Sequence, residues 1–467
     1  MDSLFKIVIC FMCLHFVITK ETYRAAIVDI SKEDVTVDTY LPLISEASKM
    51  GADILVLPFL EYSKNRDHNH NTCYKDHSEV IKSISDAVKK SPMYVVAHIM
   101  EKIQCQDTKE LTRNNVVFDR EGSVISVYRK RLYHNDGPDR CNITNTHSET
   151  FTTDFGVTFG LLMEEDLVFK HVDDLNGVKN FVVTGTKSHT DLPFLTENQF
   201  PSSWAYATNA NLVASTGIYA GKAGLQTGSG RILVAELNTV GGNEKPTVKF
   251  TGPRSLSHFH EGHLSQYTIK PVDLVASSYG YREAVCHNDF CCDFYLKTRI
   301  LGDTKEVNYG LIAFDGIQHY DLQHVIGVQS CGVVACVEFG DSCLSSLQQS
   351  NNIVFEEVNI SGNFIKNSVL FPNLLFTTDT DFESNKIVIT EESKADEKQV
   401  TAKLYDAKNL HRFGVFSRDY SKDFVSKINF NHHDEPFVEV VQEFFDYLWI
   451  RLRVVILVVS IYILEMM

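Results

Sequence analysis

The segment FGVTFGLLMEEDLVF, from Phe155 to Phe169, decides how the first half of this chain is interpreted. Its first nine residues, FGVTFGLLM, have the alternating apolar pattern that predicts a buried strand. The pattern ends at three consecutive acids, Glu164, Glu165 and Asp166. Successive side chains of a strand point to opposite faces, so an extended segment would place Glu164 and Asp166 on one face. Acids at the end of a buried strand often belong to a catalytic or metal site, whereas a solvated loop is the simpler alternative.

Strands and helices alternate on both sides of this segment. The sequence predicts strands over 23–30, 52–58, 93–100 and 179–185, helices over 38–51, 77–91 and 195–211, and a hairpin over 114–130. Apolar strands that alternate with helices predict an α/β sheet covered by helices. From about residue 250 onward, short β-branched runs dominate, which predicts a second, mostly β domain.

The composition is that of a large globular protein with an acidic surface. The 467 residues are 44% hydrophobic and 22% charged, which is enough chain for a large core and two domains. The net charge of −16 and the pI near 5.6 leave no basic field that would attract nucleic acid or an anionic membrane surface. Nucleic-acid binding is therefore not expected.

The N-terminus has the pattern of a secretory signal peptide. Lys6 supplies the positive region, residues 7–18 form a largely apolar run, and small or polar residues follow. This run is too short for a membrane-spanning helix. We predict that residues 1–20 are a signal peptide cleaved between Thr19 and Thr22, with a buried first strand as the alternative.

Cysteine usage fits an oxidising compartment. Of the eleven cysteines, Cys10 and Cys13 lie in the leader, and six of the remaining nine lie between residues 286 and 343. Because nine is odd, at least one thiol is left over or pairs with another chain. Zinc is the alternative, but the spacing lacks Cys-x2-Cys knuckles, so we expect no metal. The cluster predicts disulfides, with the pairing left open, among Cys286, Cys291, Cys292, Cys331, Cys336 and Cys343.

The C-terminal segment 447–467 is a hydrophobic tail. Its unbroken apolar run, Val454 to Leu464, is shorter than the roughly 20 residues of a spanning helix. The tail fits a cleaved signal for a glycolipid anchor, although the preceding VVQEFFDYLW is a poor polar spacer; an interfacial helix and a packed strand are the alternatives. Sequons at Asn142 and Asn359 add to this picture of a secreted glycoprotein, attached to the cell-surface membrane if the anchor is added.

Several motifs, in this order and spacing, resemble one family. They are GADILVLP, VVFDREGSVISVYRKRLY, TTDFGVTFG, LPFLTENQFPSSWA, TGSGRI, VCHNDFCCDFYLK and YGLIAFDG. The chain resembles the vanin and biotinidase branch of the nitrilase, or carbon–nitrogen hydrolase, superfamily. The resemblance implies a nitrilase-like αββα sandwich over residues 22–250 and a mostly β base domain over 251–440. It also implies a secreted, often glycolipid-anchored amidohydrolase that acts on pantetheine or biotin conjugates, and no cofactor is expected.

The family's chemistry uses a cysteine nucleophile, a glutamate base and a lysine that stabilises the oxyanion. The lysine is retained as Lys130. Phe59 occupies the base position, and Glu61, two residues further on, would be displaced by about 6–7 Å. The nucleophile position is Glu164, and Asp166 keeps its family place two residues later.

These departures favour the loss of amide hydrolysis. A carboxylate such as Glu164 is a poor nucleophile toward an amide, because the mixed anhydride it would form is less stable than the amide. Cys141, the nearest thiol upstream, is expected in a disulfide. The pocket is also altered at Gln199, where the family usually has an acid. We therefore expect a protein that binds a small amide or pantetheine-like ligand without cleaving it.

Lys130 needs a charged partner in this interpretation. An unpaired buried lysine is costly or loses its proton, and Glu164 is the partner that we expect.

One alternative is an active pantetheinase-like amidohydrolase that uses Glu61 as its base. Another is an enzyme of a different class, in which Glu164 and Asp166 act as acid–base groups or metal ligands. The sequence leaves the oligomeric state open.

Overall fold

The computed structural model describes residues 20–28, 37–57, 77–105, 108–131, 149–171, 177–185, 199–226, 230–242, 264–302, 308–320, 324–336, 338–339, 343–344, 352–376 and 386–425. The α-helices in these ranges are α1 (Val37–Lys49), α2 (His77–Lys90), α3 (Glu164–Phe169), α4 (Gln199–Thr208) and α5 (Leu274–Ser277). The strands of the first half are β1 (Thr22–Val28), β2 (Ile54–Leu57), β3 (Tyr94–Cys105), β4 (Thr108–Phe118), β5 (Val124–Arg131), β6 (Thr150–Thr152), β7 (Thr158–Met163), β8 (Asn180–Thr184), β9 (Asn211–Ala214), β10 (Gly217–Ala220) and β11 (Ile232–Asn238).

The strands of the second half are β12 (Thr268–Pro271), β13 (Tyr281–His287), β14 (Phe290–Ile300), β15 (Asn308–His319), β16 (His324–Cys336), β17 (Glu338–Phe339), β18 (Cys343–Leu344), β19 (Ile353–Ile365), β20 (Val369–Phe376), β21 (Ile387–Ser393), β22 (Glu397–Lys408), β23 (Leu410–Arg418) and β24 (Phe424–Val425). The predictions for residues 1–19, Phe59, Glu61, Asn142 and the tail 447–467 lie outside the described residues and stay predictions.

Two sheets form the first domain. One has the strand order β11-β1-β2-β3-β4-β5, and the other has the order β10-β9-β8-β7-β6. Strands β1 to β3 are parallel because α1 and α2 lie between them in the chain, and β7 to β9 are parallel as well. The predicted hairpin is β4 and β5, which pair antiparallel.

Apolar side chains fill three layers of this domain. Tyr23, Ile27 and Phe159 belong to the cluster between the two sheets. The outer face of the first sheet packs on α1 and α2. The outer face of the second sheet packs on α4, which contributes Phe200 and Trp204. The order helix, sheet, sheet, helix confirms the predicted αββα sandwich.

The second domain is a sandwich of two antiparallel sheets. Their strand orders are β12-β15-β16-β23-β20 and β13-β14-β19-β22-β21. One large apolar cluster fills the space between them. The predicted mostly β domain is confirmed. Of the helices in the described part of the chain, none is long and apolar enough to cross a bilayer.

Disulfides join strands of this second domain. Cys292 of β14 is bonded to Cys331 of β16 and so links the two sheets, whereas Cys286 of β13 is bonded to Cys291 of β14 within one sheet. These four cysteines are therefore in disulfides, as expected, and are not available to zinc. Cys336 is also disulfide-bonded, whereas the side chain of Cys343 lies outside the described part of the structure.

The two domains meet around α4 and the end of α3. The ring of Phe200 lies 5.3 Å from that of Phe371 and 5.8 Å from that of Phe416, between ring centroids. Arg418 is fully buried, and its Nε donates to the backbone carbonyl of Val168 at 3.1 Å. The β domain therefore contacts the helix that carries the three acids.

Candidate functional site

Glu164, Glu165 and Asp166 form the first turn of a helix. Strand β7 ends at Met163, and α3 begins at the next residue. The expectation that Glu165 points away from its two neighbours, as on a strand, is therefore wrong. Consecutive helical side chains are only about 100° apart, so two of these acids can reach one cation.

Asp166 is the buried centre of the site. Its side chain is 2% exposed, and its Oδ1 lies 2.5 Å from Nζ of Lys130. Its Oδ2 accepts hydrogen bonds from the Tyr128 hydroxyl at 3.0 Å and from the backbone N–H of Met163 at 2.8 Å. The last bond caps the N-terminus of α3, where a carboxylate is also favoured by the helix dipole. Burial and the adjacent carboxylate raise the pKa of Tyr128, so its hydroxyl stays protonated and donates.

Glu165 faces two cations. Arg113 of β4 binds both carboxylate oxygens of Glu165, and Nζ of Lys130 lies 3.6 Å from its Oε1. Burial alone would raise the pKa of Glu165, but the positive charges of Lys130 and then Arg113 hold that pKa below its usual value. Glu165 is therefore an anion at neutral pH.

Lys130 is held in place by its strand and by two acids. It lies directly opposite Arg113 in the β4–β5 hairpin, so the two cations project side by side. The ion pairs recorded for Lys130 in the described part of the chain are those with Asp166 and Glu165. The pairing with Glu164 that the sequence predicts stays a prediction.

Glu164 lies at the carboxyl ends of β8 and β9. Its Oε1 accepts from the Ser215 hydroxyl at 3.5 Å, at the long limit of a hydrogen bond. A Cβ added to Gly185, which has φ of +155°, would lie 3.2 Å from Cγ of Glu164. The absence of a side chain at Gly185 therefore makes room for the Glu164 side chain.

A buried histidine that the sequence motifs do not predict lies next to these charges. His98 is fully buried, and its Nδ1 is 2.9 Å from Oδ1 of Asn115 and 2.8 Å from Oγ1 of Thr184. The Asn115 amide nitrogen donates to the Leu162 carbonyl, which fixes Oδ1 as the acceptor. Nδ1 of His98 therefore carries the proton. Burial lowers the pKa of His98 to about 4, although the bond to Asn115 opposes this shift.

The remaining predicted site residues are only partly described. Gln199 is the first residue of α4, and it is buried. Phe59 and Glu61, on which the assignment of the base depends, lie outside the described residues. Within the described ranges, no cluster of three or more His, Cys, Asp or Glu could hold a metal ion. The described site thus supplies compensated ion pairs, a neutral imidazole and hydroxyl groups.

Two family models match this chain. The carbon–nitrogen hydrolase model matches residues 24–170, and the vanin C-terminal domain model matches residues 257–423. The first match includes Lys130 and all three acids, and the second lies in the β domain.

Curated relatives agree with these models. Vanin-like protein 2 from Drosophila melanogaster is 27% identical, over 86% of this chain and 90% of that protein. A pantetheinase from Sus scrofa is 26% identical, over 72% of this chain and 74% of that protein. A solved amidase structure from Nesterenkonia sp. has 16% identity and a TM-score of 0.34, and the match covers 49% of this chain and 94% of that one.

The fold is that of a carbon–nitrogen hydrolase domain joined to a β-sandwich base. More specifically, the chain belongs to the vanin branch of the nitrilase superfamily.

Replacing Lys130 with methionine is expected to destabilise the protein by about 3 kcal/mol, because it leaves the buried Asp166 without its cation. The double variant Lys130→Met/Asp166→Asn should recover part of this loss, since the uncompensated charge is then removed as well. Urea unfolding of the two single variants and the double variant gives the coupling energy. As a control, Lys89→Met breaks an exposed ion pair and should cost less than about 1 kcal/mol. Strictly additive losses would contradict the assigned pair.

His98 should make the folded state sensitive to mild acid. Its folded pKa of about 4 lies below its ordinary value of 6.5, so the unfolded chain takes up the proton first. The stabilising effect is complete above pH 6.5 and is lost as pH falls toward 4, by up to about 3 kcal/mol. His98→Asn should flatten this part of the stability curve, measured by urea unfolding at several pH values. His411, whose pKa burial lowers to about 3, contributes equally to both proteins and cancels in the difference. Parallel curves for the two proteins would rule out a neutral, buried His98.

Proposed function

We propose that this protein is a secreted, vanin-like glycoprotein that has lost amide hydrolysis and binds a small amide of the pantetheine type. The observation that carries the proposal is Glu164, the first residue of α3, which the motif resemblance assigns to the nucleophile position. Its carboxylate lies against Ser215 and Gly185 rather than presenting a thiol to a substrate.

The chemistry of a carboxylate supports this proposal. Attack by a thiolate on an amide gives a thioester, which water then cleaves with the help of a general base. Attack by Glu164 would have to expel an amine from carbon and leave a mixed anhydride, which is uphill from the amide. The sequence also replaces the base with Phe59, whose ring accepts no proton.

The surroundings of Lys130 point the same way. A lysine stabilises an oxyanion best when its charge is available to the developing negative oxygen. Here the ammonium lies 2.5 Å from Asp166 and 3.6 Å from Glu165, which already compensate its charge. The double variant described below therefore also tests whether the ammonium is available to an oxyanion once a thiol and a base are present.

Ligand binding does not require the lost chemistry. Glu164 and Ser215 offer an acceptor and a hydroxyl at the carboxyl edge of a parallel sheet, where ligands of α/β proteins commonly bind. Such groups suit a neutral, polar amide. The relatives named pantetheinase motivate the choice of ligand, and they also motivate the second candidate, an active pantetheinase-like amidohydrolase.

Amide hydrolysis by the purified chain should be absent on a pantetheine-type substrate. A double variant, Phe59→Glu/Glu164→Cys, restores the two family side chains and is expected to gain turnover above the natural chain. The matched control adds Lys130→Ala to that double variant and should lose the gained turnover, because the oxyanion then lacks its cation. Calorimetric titration of the natural chain with a non-hydrolysable pantetheine amide should show saturable binding.

Turnover by the natural chain that disappears in Lys130→Ala would overturn the proposal and favour the active enzyme. An absence of saturable binding would remove the ligand-binding part. A silent double variant with a normal melting curve would mean that the pocket has changed beyond these two positions.

Secretion and glycosylation are also proposed, on the leader pattern and the two sequons. Asn359 lies partly exposed on β19, where a glycan can extend into solvent. Expression in a secretory eukaryotic cell should deliver the protein to the medium or to the cell surface, with a glycan that a peptide N-glycosidase removes. Asn359→Gln should reduce the glycosidase-sensitive mass by one glycan, and Asn363→Gln, on the same strand outside a sequon, should leave it unchanged. Purely intracellular protein without a glycan would refute this assignment.

A further inference from the structure

Two disulfides of the β domain share one short segment but differ in accessibility. Cys291 and Cys292 are consecutive residues of β14, so their side chains point to opposite faces of the sheet. Cys291 is exposed and bonded to the exposed Cys286, whereas Cys292 is fully buried and bonded to the fully buried Cys331.

The outer disulfide closes a small loop at the tip of a hairpin. Cys286 and Cys291 are direct cross-strand partners in the β13–β14 ladder, with Cα atoms 4.0 Å apart and only five positions apart in sequence. The neighbouring cross-strand pair on the same face, Ala284 and Asp293, is exposed as well. A small thiol can therefore approach this disulfide from solvent.

The inner disulfide is enclosed by the core of the sandwich. Cys292 and Cys331 belong to the apolar cluster between the two sheets. Gly362, the partner of Cys292 on β19, leaves the space that the bridge occupies, since a Cβ there would lie 3.2 Å from Sγ of Cys331. A thiolate can reach these sulfurs only if the sandwich opens locally.

We propose that the Cys286–Cys291 disulfide is a surface site for reversible exchange with low-molecular-weight thiols, and that the adjacent Cys292–Cys331 disulfide is a structural bond that such thiols do not reach. The thiolate of a small thiol attacks one sulfur of the outer bond, forms a mixed disulfide with it and releases the other cysteine as a thiolate. A second molecule of the thiol then attacks the mixed disulfide. The products are the oxidised small thiol and two protein thiols, so two electrons pass from the small thiol to the protein.

The hairpin keeps the two thiols ready to re-form the bond. Seven cross-strand pairs join residues 281–287 to residues 290–296, so the ladder holds Cys286 opposite Cys291 in the reduced state as well. The thiolate of Cys291 points away from the buried bridge at Cys292, which prevents exchange between the two disulfides. Reduction therefore stays local and is reversible.

The test uses the full-length protein in its native state with reduced glutathione as the probe. Samples are quenched over time with an alkylating reagent, and labelled peptides are quantified by mass spectrometry after proteolysis. We expect Cys286 and Cys291 to be labelled about tenfold faster, or more, than Cys292 and Cys331, and a glutathione adduct to appear on one of the outer pair. After glutathione is removed and the protein is mildly oxidised, the alkylating reagent should no longer label Cys286 and Cys291.

Two controls make the result specific. In concentrated denaturant the tenfold difference should largely disappear, because the fold no longer shields the inner bond. The double variant Cys286→Ser/Cys291→Ser should keep the native melting temperature within about 3 °C and lose the fast labelling. Equal labelling rates for both bonds in the native protein, or faster labelling of the inner bond, would overturn the proposal, as would loss of the native fold on reduction of the outer bond alone.

Discussion

The buried carboxylate of Asp166 is the interaction on which the candidate site depends. An isolated carboxylate is costly in a protein interior, so its 2% exposure requires compensating partners. It has three: the Lys130 ammonium, the Tyr128 hydroxyl and the backbone N–H of Met163. Together they join β5 to the junction of β7 and α3. Because Glu164 is the first residue after that junction, the same contacts fix the place of Glu164.

Helix α3 is stabilised from both domains. Six residues are too few for a helix to form alone, so tertiary contacts must hold it. Asp166 caps its start, and Arg418 of the β domain donates to the Val168 carbonyl near its end. The same guanidinium reaches the Gly327 carbonyl and the Asp423 carboxylate, which fixes it within the β domain. The position of the site's acids is therefore a property of the two domains together.

The sequence was sufficient for the fold class, because apolar periodicity and family motifs are local signals. It was not sufficient for the start of α3, since a helix of under two turns shows no distinct period. The Arg113–Glu165 pair joins residues on elements whose register the sequence does not specify. His98 was missed for the same reason: one histidine in an apolar strand looks unremarkable until Asn115 and Thr184, from two other strands, surround it.

The two substitutions that the motif resemblance implies leave the summed formal charge of the three catalytic positions unchanged. The superfamily's chemistry uses a lysine, a glutamate and a cysteine, whose formal charges sum to zero when the thiol is protonated. By the motif resemblance, Phe59 stands at the base position and Glu164 at the nucleophile position, so one carboxylate is lost and one is gained. The formal charge over the three positions is the same in both cases. Among the described residues, the ion-pair partners of Lys130 are Asp166 and Glu165, so its charge is compensated independently of this exchange. The proposed loss of amide cleavage therefore requires no change in the charge around Lys130.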